Sequence, residues 1–227
     1  MATGSSRLNK MRRKPVQARS QERVQRILDV AEELFTNQGY AATTTKAIAA
    51  QSQIPIGSLY QFFPNKGAIV QALFVRYNDL LHQRLALFND AELSKLPLPT
   101  FVDKLTDIGI NFYLEHPGYH KIYMEAQDLM SELDKIERAV DAKIIQELVI
   151  VLKQREAIQE DINYEAIAYV LINAGGQVLS LALGQEERFQ QQLFTEIKRF
   201  SLSYLQSYFP SAIQSAKNTN EPDSLKP

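Results

Sequence analysis

Apolar and polar residues in the first third of the chain alternate with a helical period. From Ala18 to about Gln38 the apolar positions follow i, i+3, i+4, i+7 spacing, which predicts an amphipathic helix. Those positions are Val24, Ile27, Leu28, Ala31, Leu34 and Phe35. Gly39 predicts the C-terminal end of the helix, because glycine readily takes the left-handed conformation found there.

The following stretch, residues 43–66 with the sequence TTTKAIAAQSQIPIGSLYQFFPNK, predicts two short helices, a tight turn between them, and the start of a longer helix. Thr43 or Thr44 caps the first short helix. Pro55 separates the two helices, since proline suits only the first turn of a helix and restricts the residue before it. The second helix buries Leu59, Phe62 and Phe63 on one side.

The remaining pattern is helical as well, and it contains no predicted strand and no repeat. A long helix starts after Asn65 and continues to about residue 88, and Thr100 caps another that ends by Glu115. Four more helices are predicted at residues 121–130, 131–154, 164–183 and 185–209. The fold class is therefore all-α.

Charge is distributed unevenly along this 227-residue chain, whose formal net charge is −1. Residues 1–90 contain 12 Lys and Arg against 6 Asp and Glu, and the rest of the chain contains 13 against 20. Basic residues begin in the N-terminal arm, with Arg12, Arg13 and Lys14, and continue along the first helix. A solvated tail has the same composition, but beside two short helices this distribution favours binding to phosphate groups.

The order of these motifs resembles the TetR family of transcriptional regulators. An amphipathic helix ending in Gly39 and Tyr40 is followed by TTTKAIA and then by GSLYQFFPNK, so the resemblance covers roughly residues 18–75. Gln53 and Pro55 stand where such sequences more often carry Gly and Ser. The resemblance implies a helix-turn-helix domain whose second short helix enters the major groove of DNA.

The family pattern implies which residues contact DNA. Thr44, Tyr60 and Lys66 match positions that contact the phosphate backbone, and Lys46 is an exposed cation beside them. Base-reading candidates lie on the outer side of the second short helix: Ile56, Gly57, Ser58 and Gln61. Gln61 can pair with adenine, and Ile56 can contact a thymine methyl group. Tyr60 could instead be a core aromatic residue, and Ile56 a local packing residue.

These observations divide the chain into four parts. We expect a flexible basic arm at residues 1–17, a three-helix DNA-binding domain at 18–66, a ligand-binding and dimerisation bundle at 67–209, and a flexible tail at 210–227. The bundle begins with a connecting helix at residues 67–88.

An aromatic stripe with a few polar groups is typical of small-molecule pockets, although ordinary core packing looks the same in sequence. The candidate ligand-binding residues are Phe112, Tyr113, His116, His120, Tyr123, Met124, Tyr169 and Asn173. The two neighbouring histidines flank a helix break and have no third nitrogen or sulfur ligand near them, so we expect no metal site. We also expect no cofactor.

The last two helices are apolar on more than one side, which indicates burial against a partner as well as in the core. We expect Gly175, Gly176, Phe194 and Leu205 to meet a second copy of the chain, with Phe189, Leu193 and Phe200 facing the core. One large helix fully buried within a single subunit is the alternative.

The sequence as a whole favours a cytoplasmic, homodimeric DNA-binding regulator. We expect it to bind a pseudo-palindromic duplex and to repress transcription until a small, largely apolar or amphipathic effector releases it. No apolar run approaches the roughly 20 residues that cross a bilayer, so we expect no membrane association. A ligand-independent regulator is the alternative. An enzyme is disfavoured, since the chain has no nucleophile and base pair and no phosphate-binding glycine loop.

Overall fold

The computed structural model describes residues 18–86, 94–158 and 160–209, and within them it contains helices and no strand. The helices are α1 (Ala18–Gln38), α2 (Thr45–Gln51), α3 (Ile56–Phe62), α4 (Lys66–Ala86), α5 (Leu98–Glu115), α6 (Pro117–Glu125), α7 (Met130–Lys153), α8 (Tyr164–Ala182) and α9 (Glu187–Gln206), with a 3₁₀ turn at Gln127–Leu129. The all-helical prediction is confirmed. The predicted arm at residues 1–17, the tail at 210–227 and the end of the connecting helix lie outside the described residues.

The chain forms two compact units, and each is made from two pieces of sequence. The first unit contains the described residues of Met1–Leu80 together with Tyr113–Ala139. The second contains those of Leu81–Phe112 and Val140–Pro227. The predicted DNA-binding helices therefore share a unit with α6 and the first part of α7.

The apolar stripe of α1 forms the centre of the first unit. All six of its predicted apolar residues are buried, as are Ile48, Leu59 and Phe63 from the following helices. Arg76 on α4 forms ion pairs with Asp29 and Glu32 of α1 and so fixes these two helices together.

Helix α2 is capped at both ends by the side chains of the residues that flank it. The Thr44 hydroxyl oxygen accepts a hydrogen bond of 3.1 Å from the amide of Ala47. At the other end the buried hydroxyl of Ser52 donates to the carbonyl oxygen of Ile48, at 2.6 Å. Thr44 is therefore the cap, and Thr43 instead is buried and donates to the carbonyl oxygen of Gly39.

The turn between α2 and α3 has a left-handed residue that is not glycine. Gln53 has φ of +56°, and it is the one non-glycine residue with positive φ in the described part of the chain. Its amide donates to the carbonyl of Ala50, and the amide of Ile54 donates to that of Ala49. These two bonds make a Schellman motif, whose left-handed position most often holds glycine.

Two helices start earlier than predicted, each with a proline in its first turn. Helix α5 begins at Leu98, with Pro99 in its first turn, so Thr100 lies inside the helix and is not its cap. Helix α6 begins at Pro117 and not at residue 121. The cause is the same in both cases, since proline fits the first turn, where its missing amide hydrogen has no partner to lose.

The second unit is a bundle built around helices α5, α7, α8 and α9. Its core includes Phe101, Leu148, Leu152, Leu171 and Leu205. Helices α8 and α9 pack against each other. Lys198 of α9 forms ion pairs with Asp103 and Asp107 of α5.

One described helix, α8, is by length and composition apolar enough to cross a membrane, with a mean hydropathy of 1.3, although only 28% of it is buried. Such a run was not expected from the sequence. A helix packed between two protein surfaces has the same composition.

The conformation of Gln53 gives a stability prediction. Gln53→Gly should raise the free energy of unfolding by about 1 kcal/mol, because glycine avoids the cost of the left-handed region. Gln51→Gly, two positions earlier within α2, should lower it by a similar amount. Urea unfolding followed by circular dichroism measures both free energies. Changes of the same sign in the two variants would contradict the assigned turn geometry.

Candidate nucleic-acid interface

Helix α3 presents a mixed outer face above a buried inner one. Leu59 and Phe62 are buried, as predicted. The outer side contains the predicted base-reading residues Ile56, Gly57 and Gln61, all exposed, and the half-buried Ser58. A Cβ atom added at Gly57 would meet nothing within 4 Å, so this part of α3 is open to a close approach.

The predicted phosphate contacts near the start of α2 are accessible. Thr44 and Lys46 are exposed, and the Tyr60 side chain is 40% exposed. The Tyr60 hydroxyl lies 3.1 Å from the hydroxyl of Thr45, which links α3 to the first turn of α2. This contact orients a phenol toward solvent beside a helix N-terminus, where a phosphate oxygen can be bound. Tyr60 is thus not a core aromatic residue.

The structure places the predicted phosphate contact Lys66 partly inside the protein. Its ammonium donates to the carbonyl oxygens of Tyr40 and Thr43 and lies 4.1 Å from the centre of the Tyr40 ring. Burial lowers the pKa of Lys66, and the carboxylate of Asp128 partly opposes that shift. Lys66 therefore has a structural role in this conformation, and its contact with phosphate stays a prediction.

Two acidic residues that the sequence analysis did not connect with DNA binding lie against the turn between α1 and α2, at Tyr40. Glu125 accepts a 2.6 Å hydrogen bond from the amide of Tyr40, and Asp128 accepts one of 3.2 Å from the Tyr40 hydroxyl. Burial, followed by the charge of Asp128, raises the pKa of Tyr40 to about 12, so its hydroxyl remains a donor at neutral pH. No local signal marks these residues, since 85 positions or more separate each from Tyr40.

Three exposed arginines continue the basic character of the N-terminus along α1: Arg19, Arg23 and Arg26. The predicted arm residues Arg12, Arg13 and Lys14 lie outside the described residues. The exposed arginines are suited to contacting the phosphate backbone, which contributes affinity without sequence preference.

Some of the predicted ligand-binding residues pack together in the first unit as a tight aromatic cluster. The ring of Tyr119 lies 5.3 Å from that of Tyr113 and 4.7 Å from that of Phe74, which in turn lies 6.1 Å from Tyr123. The Tyr119 and Tyr123 hydroxyls donate to Glu137 and Asp134. Phe74 and Tyr119 are buried, so these contacts are those of a packed core, the alternative that the sequence had left open.

The other predicted ligand-binding residues are spread over both units. The His116 ring lies 5.6 Å from the Tyr77 ring, which is itself 5.3 Å from that of Tyr119, and burial lowers the pKa of His120. Met124 is exposed. In the second unit Phe112 is buried near the Arg84 guanidinium, whereas Tyr169 and Asn173 are exposed on α8.

A small apolar cavity lies in the second unit instead. Its volume is about 20 Å³, and it is lined by Leu85, Phe101, Leu105, Ile144, Glu147, Leu148 and Val151. The Glu147 carboxylate lies 2.9 Å from the imidazole of His82. None of the predicted ligand-binding residues lines this cavity, which as it stands has room for about one water molecule.

The expected faces of α9 are reversed. Phe194 is 5% exposed and Leu205 is fully buried within the chain itself, so neither is placed to meet a partner. Phe189 and Phe200, which were expected in the core, are 50% and 42% exposed. Gly175 and Gly176 fit the prediction better, because a Cβ atom added to either would meet nothing within 4 Å in its own chain.

Among the described residues no group of three or more His, Asp or Glu side chains could hold a metal ion.

Family models match most of the described chain. Residues 27–73 match the model of bacterial regulatory proteins of the tetR family, and residues 97–205 match the model of the tetracyclin repressor-like C-terminal domain. The first match contains α2, α3 and the exposed face described above. The second contains α5 through most of α9.

Curated relatives carry the same description. The chain is 34% identical to the HTH-type transcriptional regulator YvkB of Bacillus subtilis, over 31% of this chain and 46% of that protein. It is 27% identical to YhgD of the same organism, another HTH-type transcriptional regulator, over 52% of this chain and 63% of the relative. The chain thus spans about half to two thirds of the length of these relatives.

Among solved structures, a TetR-family regulator from Mesorhizobium loti has the same fold, with a TM-score of 0.67 at 15% identity over 85% of this chain and all of that one. Two consecutive family models and an exposed second short helix agree with this likeness. The chain belongs to the TetR family of helix-turn-helix transcriptional regulators.

Proposed function

We propose that this regulator binds a pseudo-palindromic operator as a homodimer, represses transcription in the cytoplasm, and is released by a small apolar or amphipathic effector. The exposed outer face of α3 carries the DNA-binding part of the proposal, because it combines a glutamine, a serine and an isoleucine above a fixed apolar side. Such a face distinguishes base pairs in the major groove. The residues on α2 and the N-terminal arm then supply contacts to phosphate.

The homodimer is supported by the apolar side chains that α8 and α9 leave exposed. They include Tyr169, Val170, Val178, Leu181, Phe189 and Phe200. Gly176 lies on the exposed side of α8 and leaves room for close approach by another backbone. Large apolar side chains exposed in this number on two packed helices favour an interface. Two α3 helices in a dimer can enter successive major grooves about 34–36 Å apart.

An effector has a candidate site in the cavity of the second unit. Its lining is apolar apart from Glu147, so it suits an uncharged or amphipathic molecule better than a sugar. Because the cavity is too small for an organic molecule, binding requires its enlargement. The ligand would therefore favour a conformation with an enlarged cavity over the one described here. A 100-fold loss of operator affinity corresponds to about 2.7 kcal/mol of coupling.

The first test concerns DNA recognition. Tyr60→Phe should weaken binding to all duplexes by about 1–2 kcal/mol, because a hydroxyl contact to phosphate is lost, whereas Gln61→Ala should change the preferred sequence. Fluorescence anisotropy with DNA flanking the protein's own gene, at several salt concentrations, measures both effects. Gln38→Ala, an exposed change at the end of α1, is the control. Wild-type protein that binds no such duplex at low salt would contradict the operator proposal.

The second test concerns assembly. Gly176→Leu should weaken the dimer without destabilising the fold, since a Cβ atom at this exposed position meets nothing within 4 Å in its own chain and leucine favours helix over glycine. Leu181→Asp should act in the same direction, because Leu181 is 58% exposed. Sedimentation velocity measures the dissociation, with Gln191→Asp, exposed on the side of α9 away from Phe189 and Phe200, as control. Unchanged dimers in both variants would place the interface elsewhere.

The third test distinguishes two effector sites. Leu105→Phe should fill the cavity and abolish thermal stabilisation by small apolar compounds, while Tyr123→Ala should leave it intact. A compound screen by thermal shift, followed by operator titration, measures both. The opposite pattern would move the site to the aromatic cluster. Stabilising compounds that leave operator affinity unchanged would rule out release by an effector.

A further inference from the structure

The turn between α1 and α2 is held by side chains from a distant part of the sequence. Glu125, near the end of α6, accepts the amide hydrogen of Tyr40, and Asp128, in the following 3₁₀ turn, accepts the Tyr40 hydroxyl hydrogen. Lys121 on α6 donates a 2.6 Å hydrogen bond to the carbonyl oxygen of Thr36, in the last turn of α1. We call Lys121, Glu125 and Asp128 the turn clamp.

The turn clamp supplies what the end of α1 lacks. The last turn of α1 has no basic residue, and the ammonium of Lys121 takes that place beside its free carbonyl groups. Gly39, just beyond the helix, has φ of +87°. A Cβ atom there would lie 2.9 Å from the Glu125 carboxylate, so the acidic side chain fills the space that glycine leaves.

The clamped turn determines where α2 begins. The Thr43 hydroxyl donates to the carbonyl of Gly39, and Lys66, at the start of α4, donates to the carbonyls of Tyr40 and Thr43. Thr44 then caps α2. A displacement of the clamp therefore acts on the first residues of α2, which carry the candidate phosphate contacts and touch Tyr60.

We propose that Lys121, Glu125 and Asp128 are positioning residues for operator binding, because they hold the turn from which α2 starts. The clamp lies wholly within the first compact unit, and the charge of Asp128 acts on Lys66. It acts on DNA binding through the turn. This inference rests on the DNA-binding function and does not depend on the identity of an effector.

Hydrogen exchange on the full-length protein without DNA tests the structural half. Glu125→Ala should speed exchange of the Tyr40 amide and of the amides at the start of α2, by about tenfold or more, since the acceptor is lost. Glu125→Gln should retain most of the protection, because its amide oxygen still accepts. Glu132→Ala, a change of carboxylate on the first turn of α7, is the matched control. Unchanged protection at α2 in Glu125→Ala would overturn the proposal.

Operator titration tests the functional half. The affinities of the wild type and the variants are compared on DNA from upstream of the protein's own gene, at a temperature where every variant is fully folded. Glu125→Ala should bind this DNA about tenfold more weakly than the wild type, and Glu125→Gln should bind it with nearly wild-type affinity. Binding to a random duplex should change much less. Tyr40→Phe and Asp128→Ala should show non-additive losses, because both remove the same bond.

The outcomes separate the two claims. Absence of specific binding by the wild type would contradict the operator proposal and leave the exchange result to decide on the clamp. Specific binding that is equal in wild type and Glu125→Ala would overturn the clamp. A lower melting temperature with unchanged specific affinity would do the same, since it would show a role in stability alone.

Discussion

The ammonium of Lys66, at the start of α4, joins that helix to the turn between α1 and α2, and these two segments must meet for the DNA-reading helices to be placed. It bonds the carbonyls of Tyr40 and Thr43 and lies over the Tyr40 ring. Removing a cation from water is costly unless oxygen dipoles or a π face replace the lost hydration. The turn after α1 supplies both. The positions of α2 and α3 against α1 therefore depend on this polar contact as well as on apolar burial.

The apolar core and the polar turn have different roles in this unit. Buried Ile48, Leu59 and Phe63 bring α2 and α3 onto α1, but apolar contact is non-directional. Hydrogen bonds at Thr43, Thr44 and Ser52 set where α2 begins and ends. The core thus brings the helices together, and the capping bonds fix the register in which α3 presents its outer face.

Features encoded locally were predictable from the sequence. The period of α1, the Thr44 cap and the proline before α3 each act within a few residues, and the structure has all three. Gln53 was noted as a departure from the family pattern, but its left-handed conformation has no signal of its own in glutamine. The early starts at Pro99 and Pro117 were missed because a proline was treated as a break rather than as a first-turn residue.

Features that depend on distant contacts were not predictable. Two apolar stripes on α9 indicated two buried faces, but periodicity does not say which stripe faces the core of its own chain. Phe194 was expected at the dimer interface and is buried in the core, whereas Phe200 was expected in the core and is exposed. Tyr113 and Tyr123 were grouped correctly by composition, but a packed cluster and an open lining have the same sequence. Glu125 and Asp128 bond Tyr40 across more than 80 positions, where no motif connects them.

The DNA-reading unit is discontinuous, since residues 81–112 belong to the other unit. During synthesis, α1, α2 and α3 leave the ribosome well before the residues that contact their connecting turn. At about 5–20 residues per second, several seconds pass between the appearance of Tyr40 and that of residue 139. During that interval the nascent chain exposes part of the apolar surface that α6 and α7 later cover. A fragment ending at residue 66 therefore lacks Lys121, Glu125 and Asp128, the side chains that hold the end of α1 and the turn that follows it.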